Sequence, residues 1–221
     1  MSQSLYAVIT GDIRNSTRLS TDDLIRLPVV LKNIFSELNL FLSKRKQWLK
    51  YSIFRGDSFQ LVASPAAALE VVLYVRAGLR SAYPKAVTSA VDCRMAIALG
   101  PVSHLSGNIT ESSGEAFNRS GLLLERMGKS AFLAADTPIP SMTAELNTEL
   151  ALCTELVGRW THSQAILVPM LLNAETQTSI AGSTGISQAA VAKKIHIMGW
   201  PAIEQLLSRY RFLYEDNFVK L

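Results

Sequence analysis

The order of local patterns along the first half of the chain constrains its fold most. Apolar spacing and turn residues predict, in sequence, a strand at 5–11, a helix from about 20 to 45, strands at 48–54 and 59–63, a helix at 65–82 and a strand at 93–99. The order β-α-β-β-α-β is that of the split βαβ plan, in which two helices cover one face of a four-stranded antiparallel sheet. We therefore predict an α+β fold with a ferredoxin-like domain and an antiparallel sheet.

This plan brings two acidic residues together. Its first strand lies antiparallel to its third, so Asp12, at the end of the first, is expected beside Asp57, in the hairpin turn before the third. Two carboxylates at close range suit Mg²⁺ or Mn²⁺ and phosphoryl chemistry. Each Gly-Asp pair taken singly is also ordinary turn chemistry. The neighbouring residues predicted to bind a phosphate-bearing ligand are Ile13, Arg14, Asn15, Ser16, Thr17 and Arg55.

The C-terminal part carries a different pattern. From 177 to 198 the sequence QTSIAGSTGISQAAVAKKIHIM predicts two short helices around a turn at Gly185, which is typical of a helix-turn-helix. We predict an α+β domain at 1–158 and a helix-turn-helix domain at 159–221. A plain helical hairpin for dimerisation or packing is the alternative. The predicted DNA-binding residues of the second helix are Ser187, Gln188, Ala189, Lys193 and Lys194.

Several motifs resemble those of class III nucleotide cyclases. YAVITGDIRNST is similar to their first metal-binding segment, FRGDSFQ to their Gly-Asp hairpin, CRMAIALGPV to a later strand ending in Gly, and GEAFN to the start of a helix with a transition-state Asn. Together with the terminal helix-turn-helix, the chain looks closer still to the SatD-like family. The resemblance implies that Asp12 and Asp57 bind metal, that the Ile13 backbone assists, and that Asn118 approaches ribose or phosphate.

The chain departs from the cyclase pattern at two positions. Leu122 stands where cyclases carry a charge-stabilising Arg, and Ile53 stands where they carry a base-selecting Lys. The candidate substitutes for the missing Arg are Arg14, Arg55 and Arg119, although Arg119 points roughly 100° away from its neighbour Asn118 on a helix. Both departures argue against efficient formation of a cyclic nucleotide.

Composition adds a few limits. The chain has 221 residues, and the hydrophobic fraction of 48% predicts a well-packed core. Its net charge of +4 permits a phosphate-bearing partner. Its apolar runs are shorter than the roughly 20 residues of a membrane span, so we expect a cytoplasmic protein with no membrane contact. Cys93 and Cys153 are expected to be buried thiols.

Three functional hypotheses follow. The first is a homodimeric transcriptional regulator that binds DNA and whose cyclase-like domain, catalytically degenerate, binds a nucleotide or phosphate ligand with Mg²⁺ or Mn²⁺. The second is an active metal-dependent nucleotide cyclase or nucleotidyltransferase with an accessory helix-turn-helix, in which Asn118 and Arg119 are the catalytic residues. The third is an inactive scaffold with neither ligand nor specific DNA.

Overall fold

The computed structural model describes residues 4–14, 16, 19–83, 91–128 and 130–219. Its strands are β1 (Leu5–Ile13), β2 (Leu49–Phe54), β3 (Ser58–Ala63), β4 (Cys93–Pro101) and β5 (Leu133–Asp136). Its α-helices are α1 (Thr21–Ser43), α2 (Ala68–Ala82), α3 (Glu115–Arg126), α4 (Pro140–Gly158), α5 (His162–Ala165), α6 (Val168–Leu172), α7 (Gln177–Thr184), α8 (Gln188–Ile197) and α9 (Trp200–Phe218). Short 3-10 helices at Pro65–Ala67 and Ile109–Glu111 precede α2 and α3.

The five strands form one sheet in the order β2-β3-β1-β4-β5. The prediction that the first strand lies antiparallel to the third is confirmed, with Asp12 opposite Ser58. The four predicted strands pair antiparallel in the order β2-β3-β1-β4, but they are not the whole sheet, because β5 adds to the edge and runs parallel to β4. The reason is the crossover through α3, which returns the chain to the same end of the sheet before β5 begins. The α+β class is confirmed.

The two faces of the sheet have different coverings. Alternate β1 residues such as Ala7 and Ile9 point into the main core with α1 and α2, whereas Val8 points to the opposite face. There it packs with Ala116 and Phe117 of α3. This period of two is what a strand buried on both sides requires. The second face is therefore covered by α3 at one end and is more polar toward Asp12.

The segment 161–172 has helical spacing of its apolar residues but does not form a single helix. It forms two short helices, α5 and α6, separated at 166–167, and Pro169 lies in the first turn of α6. Proline has no N–H to donate to the preceding turn, so it starts a new helix more readily than it continues one.

The predicted turn in the C-terminal part is confirmed. Gly185 ends α7 with a left-handed φ of 70°, and the Ser187 side chain accepts a hydrogen bond from the Ala190 N–H at the start of α8. Ile180 and Val191 are fully buried between the two helices.

The C-terminal helices pack directly on the N-terminal part. Tyr210 Oη donates to the Pro65 carbonyl at 2.6 Å, and Arg211 and Arg45 both pair with the buried Glu70. One hydrophobic cluster runs from the sheet through α4 to α9. The division at 158/159 stays a prediction. Among the described helices, none has both the length and the hydrophobicity to cross a bilayer.

Candidate functional site

An open cavity of about 610 Å³ lies where β1 ends and β3 begins. Both predicted carboxylates line it, so the topology brings them to one place. Three arginines, one isoleucine and one serine complete its wall. The lining residues are Asp12, Ile13, Arg14, Arg55, Asp57, Ser58 and Arg94.

Backbone contacts hold the Asp57 turn against the end of β1. The Ile13 N–H donates to the Asp57 carbonyl at 2.9 Å, immediately beyond the paired part of β1 and β3. The Ser16 hydroxyl donates to Asp57 Oδ2 at 2.9 Å and the Ser58 hydroxyl to Oδ1 at 3.3 Å. Ser16 thus contacts Asp57, and its role in ligand binding stays a prediction. Asn15 and Thr17, the other two polar residues predicted here, lie outside the described residues.

Asp12 is held by an arginine that the sequence analysis did not single out. Arg94 lies opposite Asp12 in the pairing of β1 with β4, and its Nε donates to Asp12 Oδ1 at 3.0 Å. Its Nη2 contacts Oδ2 of the same carboxylate, so the pair is bidentate. This hydrogen bonding raises the pKa of Arg94, although partial burial opposes the rise. Strand alternation would have placed Arg94 on the same face as Asp12, but only if the register of the fourth strand were known.

The two carboxylates of the site differ in how far they are free to bind a divalent cation. Carboxylates and hydroxyls are the hard oxygens that Mg²⁺ and Mn²⁺ prefer, but Arg94 engages both oxygens of Asp12. The Asp57 oxygens accept from the Ser16 and Ser58 hydroxyls and form no ion pair with a described residue. Nowhere in the described ranges do three His, Cys, Asp or Glu side chains group as metal ligands. A metal that binds Asp12 would have to compete with Arg94 for it.

The cavity is instead rich in guanidinium groups. Arg14 lies over the Phe132 ring at 4.4 Å, which orients its head without neutralising its charge. Arg55 has a left-handed φ of 56° at the hairpin turn and makes no ion pair with a described residue. Together with Arg94, these arginines outnumber the two carboxylates. The balance favours an anion such as a phosphate group.

Asn118 and Arg119 do not line this cavity in the single chain. Asn118 is exposed on α3. Arg119 is bound by Asp136, with Nε donating to Oδ2 at 2.8 Å, and by Glu115 one turn earlier at 3.2 Å. The Asp136 bond is the main cause that raises the pKa of Arg119. Their catalytic assignment stays a prediction.

The second helix of the predicted helix-turn-helix presents a polar surface. Ser187, Gln188, Ala189 and Lys193 are exposed on α8, and Lys194 donates to the Ser163 hydroxyl at 2.6 Å. The flanking arginines of α9 face elsewhere, because Arg209 and Arg211 pair with acidic residues of α4 and α2.

A buried ionic cluster lies between the cavity and the C-terminal helices. The Arg14 N–H donates to the Asp92 carbonyl at 2.8 Å, and the Asp92 carboxylate accepts from Arg76 and Arg80 at 2.6 to 2.8 Å. Arg80 also donates to the Trp160 carbonyl at 3.0 Å.

Trp160 extends this chain of hydrogen bonds from Arg80 to the end of α8. The Trp160 indole Nε1 donates at 2.8 Å to the carbonyl of Met198, the residue that ends this helix. Hydrogen bonds and one buried ionic cluster therefore connect the wall of the cavity to the end of the predicted recognition helix.

The sequence matches no protein-family model and no curated protein. Solved structures with similarity to the chain include an adenylate/guanylate cyclase/hydrolase from Silicibacter pomeroyi, with a TM-score of 0.43 and 18% identity over 58% of this chain and 73% of that one. A bacterial light-regulated adenylyl cyclase has a TM-score of 0.42 and 15% identity over 61% and 44% of the two chains. The monomeric guanylyl cyclase domain of the RhoGC fusion protein from Blastocladiella emersonii has a TM-score of 0.38 and 17% identity over 56% and 76%. At such low sequence identities and TM-scores, these similarities establish neither the fold nor the activity of this chain.

Proposed function

We propose that this protein is a DNA-binding regulator whose N-terminal part binds a nucleotide or a related phosphate ligand in the Asp12–Asp57 cavity. The observation that carries the proposal is the cavity wall, where Arg14, Arg55 and Arg94 surround two carboxylates in an open space of about 610 Å³. A space of this size, within the usual range for small-molecule sites, suits a polyphosphate and part of a nucleoside.

The strand order supports the cyclase-like part of the proposal. In the order β2-β3-β1-β4, with α1 and α2 packed on one face, the first four strands follow the split βαβ plan. The motif resemblance implies that the same two carboxylates lie at its nucleotide site, which supports the proposal. Because Arg94 holds Asp12 and Leu122 replaces the expected Arg, ligand binding without efficient catalysis is the function we favour.

In this proposal the helix-turn-helix binds DNA. Two copies of the chain would present two α8 helices to successive major grooves, as dimeric helix-turn-helix proteins do. The hydrogen bonds from Asp92 through Arg80 and Trp160 to Met198 give the ligand a physical route by which to bias the position of α8.

A thermal-shift titration tests the ligand site. The full chain is heated with ATP, GTP or pyrophosphate, once with EDTA and once with Mn²⁺. A ligand at 100 times its dissociation constant stabilises by about 2.7 kcal/mol. Arg55→Met should remove most of this gain, whereas Arg26→Met, which changes an exposed arginine of α1 outside the cavity, should not.

The outcomes separate the hypotheses. Stabilisation that survives in Arg55→Met and in Asp57→Ala would overturn the proposed site. A cyclic or transferred product that appears with Mn²⁺ and disappears in Asp12→Ala would support the enzymatic alternative instead. DNA binding is tested separately by titrating labelled duplex at several salt concentrations, and a salt-independent signal would count against it.

A further inference from the structure

A second cavity lies between α4 and α9, and its lining residues differ from those of the Asp12–Asp57 cavity. It is a groove of about 360 Å³ whose lining is mostly apolar. Leu152 stands at its edge with 67% of its surface exposed. The apolar lining residues are Leu152, Cys153, Leu156, Ala202, Ile203 and Leu206.

The rim of the groove has an unbalanced charge. Glu149 and Arg209 line it, and Arg209 is already committed to Glu145, whose Oε1 accepts from Arg209 Nε at 2.7 Å. Glu149 Oε2 is shielded from solvent but accepts no hydrogen bond from any described residue. Arg209 therefore faces the Glu145, Glu149 and Asp216 carboxylates, so the negative charges near it outnumber the one guanidinium.

The position of Glu149 is unfavourable for its charged form. Burial, then the nearby Glu145 carboxylate, raises its pKa, and Arg209 opposes this only in part. A shielded carboxylate oxygen with no donor costs free energy that a cationic donor would recover.

We propose that this groove binds a small hydrophobic organic cation, with its apolar body between Leu152 and Leu206 and its protonated amine on Glu149. The volume lies within the range of small-molecule sites, which are mostly apolar with a few polar groups that fix orientation. The excess of negative charge at the rim matches a cation. An organic anion would meet the Glu149 carboxylate and an Arg209 that Glu145 already engages, so the rim selects against it.

This site is independent of the proposed nucleotide cavity, since the two share no lining residue. A ligand here would contact α4 and α9 together. Because α9 also packs against α8, the groove is a second position from which a small molecule could act on the C-terminal helices.

The test uses three probes that share the 1-naphthylmethyl group and differ in charge: 1-naphthylmethylamine, 1-naphthylmethanol and the carboxylate 1-naphthaleneacetate. Calorimetric titration of the full chain at neutral pH should give the amine the tightest binding, the alcohol weaker binding and the carboxylate the weakest. Loss of a hydrogen bond to a charged group corresponds to about a tenfold change in affinity.

Two variants locate the site. Glu149→Gln keeps the shape of the side chain and should reduce amine affinity to that of the alcohol, while the exposed Glu155→Gln on the same helix should leave it unchanged. Ala202→Phe enters the groove from an exposed helix position and should block all three probes without disturbing the core. Amine binding no tighter than alcohol binding, or binding that survives both Glu149→Gln and Ala202→Phe, would overturn the proposal.

Discussion

Asp12 and Arg94 face each other across paired strands β1 and β4, and both oxygens of the carboxylate are engaged by the guanidinium. The pair is partly shielded, since about a quarter of each side chain is exposed. An ionic contact of this kind competes directly with a cation for the same oxygens. It therefore opposes the binding of a cation to Asp12.

Replacement of Arg94 by Met should increase the response of the protein to Mn²⁺. The substitution keeps much of the apolar length of the side chain and frees Asp12, so a cation no longer has to break an ion pair to bind. We expect a larger Mn²⁺-induced rise in melting temperature for Arg94→Met than for the unmodified chain, measured by calorimetry without nucleotide.

The double variant Arg94→Met with Asp12→Asn is the control and should lose the additional response. If Mn²⁺ stabilises the unmodified chain as strongly as Arg94→Met, the ion pair does not oppose metal binding.

Asp92→Asn should destabilise the protein by about 3–5 kcal/mol, because it leaves Arg76 and Arg80 buried with no counterion. Chemical denaturation measures the loss. The exposed Asp22→Asn, in the first turn of α1, is the matched control and should change stability by no more than about 0.5 kcal/mol. An equal effect of the two variants would show that the cluster contributes little.

The same carboxylate predicts a pH dependence. Burial alone would raise the pKa of Asp92, but the charges and hydrogen bonds of Arg76 and Arg80 outweigh it and lower that pKa below its ordinary value. The unfolded chain then binds more protons than the folded chain below about pH 4, so the Asp92 contribution is present above this pH and is lost on further acidification. Asp92→Asn should lack this part of the acid-induced loss.

The proximity of the acidic pair could be predicted because it depends only on strand order. Turn residues and apolar alternation gave the order of elements, and the antiparallel pairing of β1 with β3 then put Asp57 beside the end of β1. Gly185 and Ser187 likewise encode their own turn and helix start, so the C-terminal turn was predictable from local chemistry.

Arg94 and the parallel strand β5 could not be predicted in this way. Each depends on a long-range register or crossover that no local pattern specifies. The ionic cluster around Asp92 was missed for a related reason, since its partners come from α2 and are brought together only by packing.

Trp160→Phe should loosen the end of α8. The indole donates to the Met198 carbonyl, and a phenyl ring cannot, so a buried acceptor loses its partner at a cost of about 1–3 kcal/mol. Hydrogen exchange should be faster in the last turn of α8 than the global loss of stability explains. Trp48→Phe, on the opposite face of the sheet, is the matched control. Unchanged protection in α8 would mean that this hydrogen bond does not hold the helix.

Lys193 and Lys194 should contribute unequally to DNA binding. Lys193 is exposed on α8 and makes no ion pair with a described residue, whereas the Lys194 ammonium donates to Ser163. Each phosphate contact contributes about one unit to the slope of log affinity against log salt concentration. Lys193→Ala should therefore reduce the slope by about one, and Lys194→Ala by less, because that ammonium must first leave Ser163. Lys32→Ala, exposed on α1, should leave the slope unchanged. A slope altered as much by Lys32→Ala as by Lys193→Ala would move the nucleic-acid contact away from α8 and reduce the helix-turn-helix to a packing unit.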